Sequence, residues 1–128
     1  DIGLMNDFYF LYFEEIDWQL RASRKGYEIR VSTDSRLRHA ESGSVGAKSD
    51  FFFFVFSRSC VIFVTRNYSR WFSYLSAVWL LASCLVSTRS VSKLKYCIRG
   101  IQHGLVRSEF DLNAPMFHKV GANLISKI

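Results

Sequence analysis

The sequence predicts an α+β chain that is mostly α. Three observations carry that reading. An aromatic run over residues 8–13 ends abruptly in three acids, Glu14, Glu15 and Asp17. Residues 27–32 alternate Tyr, Ile and Val with polar residues at the period of a strand. From Phe51 onward, three long apolar stretches follow one another, separated by short polar breaks.

The opening stretch, residues 6–21, organises the chain. Its aromatic half reads as a short buried strand or extended segment. Residues 14–25 read as a helix, because Phe13, Ile16 and Leu20 recur at helical spacing. Acids in its first turn suit the positive end of the helix dipole. Gly26 closes it as a C-terminal cap after Arg24 and Lys25. Residues 27–32 read as a strand, and residues 36–40 as a second short one. Residues 41–50, with two Gly and three Ser, form a loop in which Ser49 or Asp50 caps the next helix. Helices are then expected over 51–65, 71–86 and 91–105, with a weakly patterned tail after them. The chain thus divides into residues 1–50, mixed α and β, and residues 51–128, helical, apolar and basic at the joints.

Composition bounds the possibilities. The 128 residues are 49% hydrophobic and 16% aromatic, too apolar for a disordered chain. Eight of the twelve Phe cluster at 8–13 and 51–56, so the chain buries a great deal or touches a membrane. The net charge of +6, with bases spread along the sequence, suits an anionic partner. Nucleic acid is disfavoured, because the bases form no stripe interleaved with exposed aromatics. Cys60, Cys84 and Cys97 lack metal spacing and read as reduced, buried thiols. Residues 1–7 carry two Asp and no basic segment, unlike a signal peptide. Lacking an initiator Met and starting in mid-pattern, the chain reads as part of a longer protein.

One stretch carries a family likeness. Phe10-Leu11-Tyr12-Phe13-Glu14-Glu15-Ile16-Asp17-Trp18 is followed by Arg21, Gly26-Tyr27, His39, Ser44, Gly46 and Arg58. In order and spacing, residues 3–70 resemble the back part of a family 2 glycosyltransferase of the rhamnosyltransferase-like branch. The stretch at 98–105 is similar, more weakly, to that family's C-terminal helix. Two departures stand out: Asn6-Asp7 replaces the family's Asp-Glu, and Ser59 stands where Asn is usual. The nucleotide-binding half with its Asp-x-Asp motif precedes this stretch in the family and is not in this sequence.

The resemblance implies a GT-A-like, Rossmann-like α/β domain, of which residues 1–50 would be the acceptor-side part. It implies inverting transfer of a sugar, such as rhamnose, from a nucleotide-diphosphate sugar to a surface-polysaccharide or lipid-linked acceptor. A divalent metal, Mg or Mn, would serve as cofactor, and the enzyme would sit at the cytoplasmic face of the cell membrane. Without its donor-binding half the chain alone is expected to be inactive. A basic, membrane-associated helical protein with no chemistry is the alternative.

Candidate site residues follow. Glu15 would be the catalytic base, with Asp17 beside it as an i,i+4 partner of Arg21. Glu14 and Trp18 would contact acceptor or sugar. The same acids could instead only stabilise a helix start, and Trp18 could fill core. His39 would ligate the metal, or be structural. Gly43 and Gly46 would hinge a lid bearing Ser44, or the loop is plain surface. Arg58 would meet a diphosphate or lipid phosphate, or be a structural charge. Residues 71–86, about 24 Å of helix, are short of a full span. Their Trp and Tyr suit the membrane interface, or the helix packs on a further domain.

Overall fold

The computed structural model describes residues 2–36 and 49–106. They form a 3-10 turn, Asp7–Tyr9, and four helices: α1 Glu14–Arg24, α2 Asp50–Asn67, α3 Arg70–Thr88 and α4 Val91–Val106. Among the described residues there is no strand. The α+β, Rossmann-like expectation is therefore corrected to an all-helical arrangement.

Two physical reasons account for the correction. A strand exists only as a hydrogen-bonded ladder with a neighbour, and alternation alone cannot supply one. Residues 27–32 have no partner strand among the described residues, and Tyr27, Ile29 and Val31 lie exposed. The aromatic run bends instead of extending: Phe10, Tyr12 and Phe13 have φ of 64°, 65° and 72°. Those values fold residues 8–13 into a compact turn ahead of α1. The second short strand, 36–40, lies almost wholly outside the described residues.

The helices follow their local signals. The Ser49 side chain accepts from the Phe52 amide at 3.1 Å and starts α2. Gly26 ends α1 with φ 84°, while Gly26 N and Tyr27 N donate to the Ser23 and Ala22 carbonyls. That is the paired-bond ending that a left-handed glycine permits.

α2 is the axis of the molecule. It is apolar almost all round and is accordingly enclosed from several sides. α4 packs most extensively against it, α3 covers both, and the N-terminal turn covers a further side. One core cluster joins Cys60, Val61, Leu80, Cys84, Cys97 and Ile101 across α2, α3 and α4. The other sets Phe51, Phe54 and Val55 beneath Phe10, Leu11 and Tyr12. Edge-to-face pairs, Phe10 with Phe51 and Tyr12 with Phe52, tie the N-terminal segment to α2.

Gly100 and Gly104 let α4 approach α2 backbone to backbone. A Cβ on Gly100 would lie 2.2 Å from the Phe54 carbonyl oxygen, and one on Gly104 would lie 2.8 Å from that of Arg58. Polar pins cross the same interfaces: Ser57 to the Cys97 sulfur at 3.2 Å, and Thr65 with Ser73 at 2.8 Å. All three cysteines are free and buried, and burial pushes the Cys60 thiol up to about 11.

Candidate functional site

The acids at the start of α1 occupy three different environments. Glu15 is exposed. Glu14 is half-buried, and its Oε2 is enclosed with no hydrogen bond. Asp17, only 3% exposed, is fully engaged. Its Oδ1 accepts from the Tyr9 hydroxyl and from the Asn67 amide, each at 3.0 Å, and its Oδ2 pairs with Arg21 Nε at 3.1 Å. The i,i+4 pairing expected for Asp17 and Arg21 is present.

This network fixes α1 against the end of α2. Arg21 also donates to the carbonyls of Ile2 and Leu4, at 2.6 and 2.8 Å. Arg24 grips Asn67 from the other side, at its side-chain oxygen and its carbonyl. Burial pushes the Asp17 carboxyl up, but hydrogen bonds from Asn67, Tyr9 and Arg21, with the Arg21 charge, outweigh it. The group is held below the ordinary aspartate value. Tyr9 moves the opposite way: burial, then its bond to the Asp17 carboxylate, raises its phenol well above the usual range.

The sign of the pH effect follows. A depressed folded value means that Asp17 adds stability in full above its unfolded value, near 4, and loses it as pH falls toward the folded one. Asp17→Ala, which strands three donors, is expected to destabilise the chain by about 3 kcal/mol at neutral pH. Thermal melts from pH 7 down to 2 should show a steeper loss below about pH 4 in the parent than in Asp17→Asn. Parallel curves would contradict the network.

The strained turn before α1 is clamped by α2. Arg58, 1% exposed, donates through Nη1 to the Phe8 carbonyl at 2.9 Å, with its guanidinium 5.6 Å from the Phe8 ring centre. Ser59 Oγ reaches the carbonyls of Tyr9 and Leu11, at 3.0 and 2.8 Å. A bulky residue at positive φ persists only where its surroundings over-determine it, and such strain clusters at functional sites. Ser59→Ala is expected to cost about 1–2 kcal/mol, read by denaturant unfolding, because the hydroxyl proton shared by the Tyr9 and Leu11 carbonyls is lost. No measurable change would place the clamp elsewhere.

The expected site residues therefore separate. Glu14, Glu15, Asp17 and Trp18 share the first turns of α1. Trp18 is half-buried and donates to the Gly3 carbonyl at 3.0 Å, tying down the N-terminal segment. Arg58 lies beneath the turn, engaged with Phe8 instead of being presented at the surface. His39, Ser44 and Gly46 lie outside the described residues. Among the described residues no three His, Cys, Asp or Glu side chains converge as a metal would require. The Asp17 carboxylate, the most enclosed of these acids, is already taken by three donors. The described residues thus do not fit a metal site.

Tyr9 and Asn67 were not foreseen as partners of Asp17. They lie 8 and 50 residues from it, and no local spacing signals either contact. No protein-family model matches the chain, and no curated protein or solved structure does.

Proposed function

We propose that the chain is the C-terminal portion of an inverting glycosyltransferase of the kind that residues 3–70 resemble, with Glu15 as its base. The observation carrying the reading is the division of the acids. Asp17 is consumed in holding α1, while Glu15, two residues earlier on the same rigid turn, is left to solvent. A general base must reach the proton that it removes, and it gains from sitting on an element that cannot shift.

In this reaction an acceptor hydroxyl attacks the anomeric carbon of a nucleotide-diphosphate sugar. The new carbon–oxygen bond forms as the bond to the diphosphate breaks, and the diphosphate leaves with the electron pair. Glu15 takes the hydroxyl proton. Asp17 is a positioning residue here, acting through Tyr9, Arg21 and Asn67. The clamp at Phe8–Leu11 lends support, because it joins the two motifs behind the resemblance. Arg58 and Ser59, at the positions of the family's Arg-Asn, hold the backbone that leads into the acids.

The test is turnover of a nucleotide sugar by the complete enzyme and by its Glu15→Gln variant. Loss of transfer with retained folding is expected. Unchanged turnover would contradict the reading and leave a basic helical protein with no chemistry at this turn.

A further inference from the structure

α3 is built inside out. Its inward side carries Ser73, Leu80 and Cys84, with Ser73 bonded to Thr65 of α2. Its outward side carries Trp71, Phe72, Leu75, Val78, Trp79 and Val86, all exposed. At 100° per residue these positions, with Tyr74 and Leu85, fill one continuous arc of about 160°. No charged residue interrupts the arc. A helix on the surface of a soluble domain shows the reverse arrangement.

α3 is long and apolar enough to cross a membrane, yet only 17% of that stretch is buried inside the protein, unlike a core helix. An apolar groove of about 450 Å³ opens on the same side, between Tyr68, Phe72 and Trp79.

From α2 to α4 the charge is mostly positive; Asp50, the first residue of α2, is bonded to Ser92. From Phe51 to Val106 there are seven Lys and Arg and no Asp or Glu. Arg66, Arg70, Arg89 and Lys95 are exposed, the first two beside the start of α3 and Arg89 just past its end.

We propose that the outward face of α3 docks in the plane of an anionic lipid bilayer. Wide apolar area with indole and phenol rings suits the headgroup boundary, and cations at its margins suit acidic lipids. A second copy of this chain is disfavoured as occupant, because the same cationic margins would meet. In-plane docking is favoured over crossing, because the inner side of α3 is sealed on α2 and α4 through Leu80 and Cys84. Lipid cannot surround it without dismantling that core. The proposal stands independently of the sugar-transfer reading.

The test uses the 128-residue chain with vesicles of phosphatidylcholine, alone or mixed with phosphatidylglycerol. Binding is expected to favour the mixed vesicles and to weaken with salt. Brominated lipids should quench Trp71 and Trp79 in preference to Trp18. Leu75→Glu with Trp79→Glu should weaken binding about a hundredfold, at unchanged helical circular dichroism. Arg66→Gln with Arg70→Gln should weaken it about thirtyfold on mixed vesicles only. Should the glutamate variant misfold, the quenching pattern and the arginine variant decide. Equal binding to both vesicle types, no quenching of α3, or a discrete dimer that shields these Trp and ignores vesicles would each overturn the proposal.

Discussion

Gly100→Ala is expected to lower the unfolding free energy by about 3 kcal/mol, and with it the melting temperature by about 15 °C. The added methyl would sit 2.2 Å from the Phe54 carbonyl oxygen and 3.0 Å from its carbon. Both are backbone atoms of a buried helix, so neither can swing aside. α4 would have to move away from α2 and open the cluster of Cys60, Val61, Cys97 and Ile101. Gly104→Ala meets the Arg58 carbonyl at 2.8 Å and the Val61 Cβ at 2.9 Å, and a smaller loss is expected. Gly26→Ala is the comparison: nothing lies within 4 Å, and only its φ of 84° is disfavoured, worth about 1 kcal/mol. Circular-dichroism melts of the three variants should rank in that order. A Gly100→Ala protein that melts like the parent would contradict the close contact of α2 and α4.

Much of the helical framework was legible in the sequence. The four helices lie within a few residues of their expected positions, because apolar periodicity, the Ser49 cap and the Gly26 ending are local signals. The Asp17–Arg21 pair was legible for the same reason, being an i,i+4 spacing. The aromatic run is bent where its composition suggests an extended segment. Its shape is set by Arg58 and Ser59, about 50 residues away, holding Phe8, Tyr9 and Leu11 in a strained turn. The strand at 27–32 failed because alternation describes a face, whereas a strand needs a neighbour.

At α3 the composition was legible but the orientation was not. Ser73, Ser76, Ser83 and Ser87 share one side with Leu80, and the Trp, Phe and Val residues lie on the other. Only the packing on α2 and α4 shows that the serine side faces inward. The absence of any acid from Phe51 to Val106 could have been read directly. It gives residues 51–106 a uniform charge that the net value for the whole chain conceals.

The second large effect is on chemistry. Under the proposed transfer, Glu15→Gln keeps size and hydrogen bonding but cannot accept the acceptor's proton. Loss of a positioned general base costs about 10²–10⁴-fold in rate. Because Glu15 is exposed, its stability cost should stay within about 0.5 kcal/mol. Asp17→Asn should behave in the opposite way. Its turnover should fall only as α1 loosens, with a lower melting temperature, since its carboxylate serves Tyr9, Arg21 and Asn67.

The most direct measurement of the proposed transfer pairs kcat with the melting temperature for the complete protein, Glu15→Gln and Asp17→Asn. A fall of at least about a hundredfold in kcat for Glu15→Gln, at parental melting temperature and donor KM, is the expected result. Parental kcat in Glu15→Gln, or a loss there that tracks a lowered melting temperature, would contradict the assignment of Glu15 as the base.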